Sequence, residues 1–334
     1  MIITKTPFRV SFFGGGTDYP TYVEQHGGAV IASTIDKYCY ITCRHLPPFF
    51  NHKHRIVYSN IENVSKVNEI VHPAVRGVFE WMNVEESNYG LEIHHDGDLP
   101  ARSGLGSSSS FTVGLIHALT ALNGKLISKH KLAEDAIHVE QKVIGENVGS
   151  QDQVCATYGG LNKIEFSKNG MFDVVPLLLD KERKKILNSH MMLFFTGVSR
   201  FSSEVAGSKI ANIASKQKEL NAMFEMVDEA SLILCNKNTT INDFGKLLHE
   251  SWLIKKSLSD KVTTPLIEEI YSVARKAGAV GGKVLGAGGG GFMLFFAPPE
   301  IHERIKIALK KLIYVPFDFE DSGSRVMLYQ PDGF

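Results

Sequence analysis

The chain reads as an α+β protein of two lobes, and three observations carry that reading. Strand-like and helix-like segments are interspersed without regular βαβ alternation. The 334 residues are 43% hydrophobic and 22% charged, enough for a sizeable core and about two domains of ordinary size. A β-rich first part gives way near residue 180 to a run of long helical stretches. The expected division is therefore 1–180 and 181–334.

Taken in order, Ile2-Ile3 and Phe8 to Phe13 are strands flanking Pro7. Ala29 to Cys43 is rich in β-branched and aromatic residues, and Arg55 to Tyr58 is a short strand. Val64 to Trp81 carries Val67, Ile70, Val71, Val75, Val78 and Phe79 at helical spacing and is expected to be one helix. Leu91 to His94 alternates as a strand. A Gly/Ser-rich turn, Leu99 to Ser110, then runs straight into an apolar helix, Phe111 to Leu122. A second helix spans about Ser128 to Ile144, with Ser128 as N-cap. A polar loop, 145–152, leads to a short apolar segment closed by Gly159-Gly160. Further on, the strand Met191 to Thr196 precedes helical stretches at about 203–236, 241–258 and 264–277. The glycine-rich loop Lys283 to Gly291 feeds the apolar strand Phe292 to Ala297. A helix follows Pro298-Pro299, and Arg325 to Tyr329 is the last strand.

Composition excludes several classes of function. Lys plus Arg (36) equals Asp plus Glu (36), so there is no basic excess of the kind a general nucleic-acid or membrane binder shows. Four cysteines without a CxxC pair exclude a disulfide scaffold and a zinc ribbon. The start, MIITKTPFRVSFFGGG, lacks the apolar run of a signal peptide, and no 18-residue apolar stretch occurs. A soluble, cytoplasmic protein is expected, a monomer or homodimer with no nucleic-acid or membrane partner.

The strongest chemical signal is Pro100-Ala-Arg-Ser-Gly-Leu-Gly-Ser-Ser-Ser-Ser110, between a strand and a helix. Gly104 and Gly106 let consecutive N–H groups turn towards one anion, and the helix start adds its free N–H groups and dipole. The hydroxyls of Ser107, Ser108 and Ser109 suit phosphate oxygens or Mg²⁺. A flexible linker is the bland reading, but linkers do not run directly into an apolar helix. The stretch lacks the Gly-Lys-Ser/Thr of a Walker A loop and the G-x-S-x-G of a nucleophile elbow. Three further segments join it. Pro7 to Pro20 puts Arg9, Gly14 to Gly16 and Asp18 at a strand end; Gly149 to Gln153 carries Asp152; Gly286 to Gly291 is a dense glycine run before a buried strand.

Together these segments resemble, in order and spacing, the motifs of the GHMP small-molecule kinases: an N-terminal P-x-R strand, a central P-x-x-x-G-L-G-S-S loop and a C-terminal glycine-rich loop. The resemblance spans nearly the whole chain. It implies a ribosomal-S5-like N-terminal domain, a ferredoxin-like C-terminal domain, and transfer of a phosphoryl group from ATP with Mg²⁺. Carried over residue by residue, Asp152 is the catalytic aspartate that accepts the proton of the attacking hydroxyl, and Arg9 the basic residue beside it. Glu140 and Ser108 are the magnesium ligands. Pro100, Gly104, Leu105, Gly106, Ser107, Ser108, Ser109, Gly288 and Gly289 are expected at the nucleotide. Gly15, Gly16, Thr17, Asp18 and Arg200 are expected at the substrate. The GGGTDYP form of the first motif looks like the sugar-kinase branch. Gly15-Gly16 stands where galactokinases have Glu-His, so galactose is doubtful and the pocket roomier.

The acceptor implied is a sugar phosphate, a heptose 7-phosphate phosphorylated at its anomeric hydroxyl for nucleotide-activated heptose synthesis. A kinase of a free sugar such as fucose is the alternative. A non-catalytic sensor on this fold would have lost the aspartate or the loops. A Rossmann oxidoreductase is weaker still, because Gly14 to Gly16 does not form G-x-G-x-x-G before a helix and no acidic residue sits at the expected distance on a second strand. Weaker features receive structural readings. His94-His95-Asp96 alternates across a strand rather than forming a metal site. His45, His52, His54 and Arg55 read as a solvated cluster. Arg44, His45, Arg55, Arg102 and Arg200 are the cations available for a substrate phosphate, and the Tyr58 to Glu62 turn is expected to border the adenine.

Overall fold

The computed structural model describes residues 1–86, 89–197 and 202–331. Two antiparallel-rich sheets organise them. The first has nine strands: β1 (Ile2–Phe13), β2 (Gly28–Leu46), β3 (His54–Val57), β4 (Ile61–Val64), β5 (Gly90–Gly97), β6 (Leu161–Phe166), β7 (Phe172–Pro176) and, from the chain's end, β12 (Phe319–Glu320) and β13 (Arg325–Tyr329). Its main path runs β13-β1-β2-β5-β3-β4, with β12 and β6 paired to β2 and β7 paired to β6. The second sheet contains β8 (Met191–Phe195), β9 (Gly281–Val284), β10 (Phe292–Phe296) and β11 (Ile313–Val315) in the order β11-β8-β10-β9. All its pairs are antiparallel, and one helical excursion separates β8 from β9 and another β10 from β11. This is the split βαββαβ arrangement of ferredoxin-like folds.

The helices are α1 (Pro20–His26), α2 (Pro73–Trp81), α3 (Ser107–Leu122), α4 (Lys129–His138), α5 (Gln151–Tyr158), α6 (Lys181–Ser189), α7 (Ser202–Asn212), α8 (Gln217–Cys235), α9 (Ile241–Ser257), α10 (Pro265–Lys276) and α11 (His302–Ala308). Helix α3 lies across β1 and β2 and is buried along almost its whole length. Its packing partners in the first core include Phe8, Val10, Phe12, Ile31 and Ile41 of those two strands. The same core continues into Leu193, Val227, Phe244, Leu294 and Phe296, so both sheets contribute to it.

Strand β1 sets the geometry of the site. Pro7 has no N–H to give a neighbour, and the β1–β2 register shifts between Pro7 and Arg9 and again between Ser11 and Phe13. Between these two irregularities Phe8, Val10 and Phe12 turn into the core, while Arg9 and Ser11 turn to the other side.

Several elements differ from the sequence expectation. Pro7 lies within one twelve-residue strand rather than between two. The expected helix from Val64 to Trp81 begins only at Pro73. Proline preconditions the first turn, His72 caps it by accepting the Val75 N–H at 3.3 Å, and Val67–Glu69 is a separate 3-10 turn. The stretch at 203–236 is two helices, α7 and α8, separated by a 3-10 turn. No helix among the described residues is long and apolar enough to cross a membrane.

Candidate active site

A cavity of about 210 Å³ opens where the end of β1, the starts of α3 and α5 and the glycine-rich loop before β10 meet. At its centre Arg9 and Asp152 form a bidentate pair, Nε to Oδ1 at 2.8 Å and Nη2 to Oδ2 at 2.7 Å. Arg9 is 3% exposed and Asp152 24%, so the cation is buried while the carboxylate keeps an open side. The remaining arm of the guanidinium, Nη1, donates to the Gly104 carbonyl at 2.7 Å. The Arg9 N–H donates to the Leu105 carbonyl at 3.0 Å.

The Gly/Ser-rich loop at 99–110 wraps this pair. Gly106 has φ +74°, and a Cβ there would lie 3.3 Å from both Asp152 Oδ2 and Arg9 Cγ. Helix α3 starts at Ser107, and its N-terminal N–H groups and dipole face the cavity with Ser107, Ser108 and Ser109. Pro100, in contrast, sits in an exposed turn and accepts the Ser103 hydroxyl, and Leu105 is wholly buried in the core. Neither lines the cavity.

Glu140 approaches from behind the serines. The helix expected through Ile144 ends at His138 and passes into a π-helical turn, Val139–Val143, closed by the Ile144 N–H on the Val139 carbonyl. Such turns are frequent at functional sites. Here the turn carries Glu140, 1% exposed, whose Oε2 accepts from Ser109 Oγ at 2.8 Å and from Gln153 Nε2. Its Oε1 is buried without a hydrogen-bond partner among the described residues. Burial pushes the Glu140 carboxyl up to about 7. An orphaned carboxylate oxygen beside serine hydroxyls is a fitting donor set for a hard divalent cation such as Mg²⁺. Ser109 is the serine bonded to Glu140; Ser108 is exposed and lines the same cavity.

Asp18, 3% exposed, also lines the cavity. It accepts the Gly16 N–H at 2.9 Å and the Gln151 N–H at 3.3 Å. Burial raises its carboxyl, with the neighbouring Asp152 charge adding to the effect and the Gly16 hydrogen bond opposing it. Gly149 is the residue that lets the carboxylate sit there, since a Cβ at that position would be 1.9 Å from Oδ2. Gly15 and Gly16 line the cavity beside Asp18, and Ser11 Oγ donates to Gln151 Oε1 at 2.9 Å behind them. Thr17 faces away. Its side chain is fully buried and donates to the Gly14 and Ala29 carbonyls, both at 2.9 Å, holding the loop rather than lining the cavity.

The glycine-rich loop meets the site through Gly286 and Ala287. Gly288 and Gly289 turn the other way. The Gly289 N–H donates to the Val262 carbonyl at 2.9 Å, and a Cβ on Gly288 would be 2.6 Å from that oxygen. Of the cations expected near a substrate phosphate, Arg102 lines the cavity. Arg44 and Arg55 instead sit with His94 around the buried Glu92, on β2, β3 and β5, away from it. Arg200 lies outside the described residues. The Tyr58 hydroxyl donates to Glu62 at 2.8 Å, and Glu62 accepts the N–H groups of Val71 and His72. Two lysines missed in the sequence, Lys255 and Lys283, line the cavity and are 3% and 1% exposed. The signal was available for Lys255: Phe244, Leu248 and Trp252 mark a buried helical stripe that it continues.

Fold and site thus define a two-domain protein with an anion cradle at a helix start, facing an Arg–Asp pair. Family models agree. The GHMP kinases N terminal domain matches residues 70–160, and the GHMP kinases C terminal domain matches residues 232–313. The chain is 31% identical over 339 residues to D-glycero-alpha-D-manno-heptose 7-phosphate kinase of Campylobacter jejuni, covering 96% of this chain and 97% of that one. It is 30% identical to the mevalonate kinase of Pyrococcus horikoshii over 67% of this chain and 66% of that one. The crystal structure of a D-glycero-D-manno-heptose 1-phosphate kinase from Bacteroides thetaiotaomicron superposes with a TM-score of 0.81 at 25% identity, covering 99% and 100% of the two chains. The protein belongs to the GHMP kinase family and is an ATP-dependent kinase of that two-domain fold.

Proposed function

We propose that the protein transfers the γ-phosphoryl group of ATP to the anomeric C1 hydroxyl of D-glycero-D-manno-heptose 7-phosphate, giving the 1,7-bisphosphate. The observation that carries this reading is the match to the Campylobacter heptose kinase, which extends over nearly the full length of both chains. What supports it in the cavity is the division of labour among its walls. Phosphoryl transfer passes through a loose transition state, so the protein mainly positions the reactants and offsets charge on oxygen.

The start of α3, with Ser107 to Ser109, would receive the nucleotide phosphates. Asp18 would accept from sugar hydroxyls, and the bare Gly15-Gly16 wall leaves room beyond C6. Asp152 would accept the proton of the attacking hydroxyl, while Arg9 offsets charge on the phosphoryl group in flight. Glu140 and Ser108 would hold Mg²⁺, which when bound neutralises charge on the phosphate oxygens. The two domains would divide at about residue 180, except that the chain's end returns to the first sheet as β12 and β13; the first would supply the phosphate loop and aspartate, the second the glycine-rich loop.

A coupled ADP-release assay across free sugars and sugar phosphates tests the reading. Turnover highest with the heptose 7-phosphate is expected. Turnover highest with fucose or another free sugar would replace it with a free-sugar kinase.

A further inference from the structure

Lys255 occupies a position where α9 otherwise buries Phe244, Leu247, Leu248, Ser251 and Trp252. Lysine is almost never so buried unless its ammonium is met by partners. Here Nζ donates to the carbonyls of Val284, at 2.7 Å, and Gly286, at 2.8 Å. Those carbonyls end β9 and open the glycine-rich loop, which is in turn locked against the phosphate loop from the first half of the chain. A Cβ on Gly286 would be 2.6 Å from Gly104 Cα, and one on Gly104 would be 2.5 Å from the Leu285 oxygen. The Phe292 N–H donates to the Ser103 carbonyl at 3.1 Å. The Gly104 carbonyl is also the acceptor for Arg9 Nη1, and Arg9 holds Asp152. Each link is a direct contact, and close-packed interiors transmit displacement rather than absorbing it.

We propose that Lys255 is a positioning residue for phosphoryl transfer: it clamps the glycine-rich loop onto the phosphate loop and thereby fixes Gly104 against the Arg9–Asp152 pair. Its kinetic consequence rests on the kinase reading above; the clamp itself does not. Lys255→Met keeps side-chain length and removes the N–H donors, leaving two carbonyls short of a partner. A loop shift near 1 Å costs on the order of 10²-fold in turnover. That loss is expected in kcat, with a smaller change in KM for ATP, and Lys255→Arg, which restores N–H donors, is expected to recover most of it.

Hydrogen exchange gives a second readout that needs no acceptor. Faster exchange is expected in Lys255→Met at the amides of Leu285 and Phe292 and, across the contact, at Arg9. Unchanged exchange at Arg9 in folded Lys255→Met, or kcat equal to wild type, overturns the proposal. Should Lys255→Met not fold, Lys255→Arg decides. Native exchange with recovered kcat supports the clamp, and native exchange with lost kcat refutes it. If wild type is silent on every sugar while the exchange coupling appears, the acceptor reading fails and the clamp stands.

Discussion

Replacing Gly149 with alanine isolates Asp18 without touching a side chain that has a role of its own. In the native structure the new methyl would sit 1.9 Å from Asp18 Oδ2, 2.5 Å from Cγ and 3.1 Å from Oδ1. Ordinary van der Waals contact begins at 3.4 Å, so carboxylate and methyl must separate by about 1.5 Å. The carboxylate is tethered by the N–H groups of Gly16 and Gln151, and that movement breaks at least one tether and misaims the oxygens. A hydrogen bond to a charged group is worth about 1.5–3 kcal/mol, so losing one to the sugar lowers kcat/KM roughly 10–150-fold. Steady-state kinetics with the sugar varied at saturating ATP measures this. The KM for ATP, whose phosphates are proposed to lie at the start of α3, should hardly move. A Gly149→Ala enzyme with wild-type kcat/KM for the sugar would refute the role given to Asp18.

Other outcomes follow from the same geometry. Asp152→Asn keeps the shape but removes the base, so kcat falls about 10²–10⁴-fold with nucleotide affinity little changed, as single-turnover kinetics and nucleotide titration will measure. Glu140→Gln and Ser108→Ala each raise the Mg²⁺ concentration needed for half-maximal rate at fixed ATP; unchanged magnesium dependence in both rejects them as ligands. His54 is fully buried, accepts the Leu91 N–H at Nδ1, and has its pKa lowered by burial to about 4. Below its unfolded value near 6.5 the unfolded chain binds the extra proton, so stability falls as pH drops from 6.5 towards 4. The loss between pH 7 and pH 5 is roughly 2 kcal/mol from this residue. Urea unfolding of wild type and His54→Gln at both pH values measures it, and equal pH dependence in the two proteins contradicts the assignment.

The parts legible in the sequence are those whose physics is local. A glycine pair followed by serines and an apolar run specifies a turn and a helix start, and α3 begins at Ser107 behind the left-handed Gly106. The β-branched and aromatic run of β2, the helical spacing of α9 and α10, and the final strand Arg325 to Tyr329 read the same way. What stayed hidden depends on distant partners. Strand β7 exposes most of its residues and is defined by pairing with β6, and β12 is two residues held on β2. Thr17 lies in the motif expected at the substrate, yet only the fold reveals that its hydroxyl serves the Gly14 and Ala29 carbonyls. Composition marks six residues from Gly286 to Gly291 as a glycine-rich loop, while tertiary contact decides that Gly286 and Ala287 face the cavity and Gly288 faces Val262. Lys255 continues the buried stripe of Phe244, Leu248 and Trp252, yet beside Lys256 it reads as one of two surface charges. Its burial against carbonyls of another element separates them.

The central claim is that the acceptor is a heptose already phosphorylated at C7 and that the new phosphate goes to C1. The most direct measurement is kcat/KM for D-glycero-D-manno-heptose with and without its 7-phosphate, with phosphorus NMR of the product. A charge-assisted contact to the terminal phosphate is worth about 1.5–3 kcal/mol, so the phosphorylated sugar is favoured roughly 10–150-fold and the new resonance couples to the anomeric proton. Equal values for the two sugars, or a phosphate found at any carbon other than C1, would contradict it.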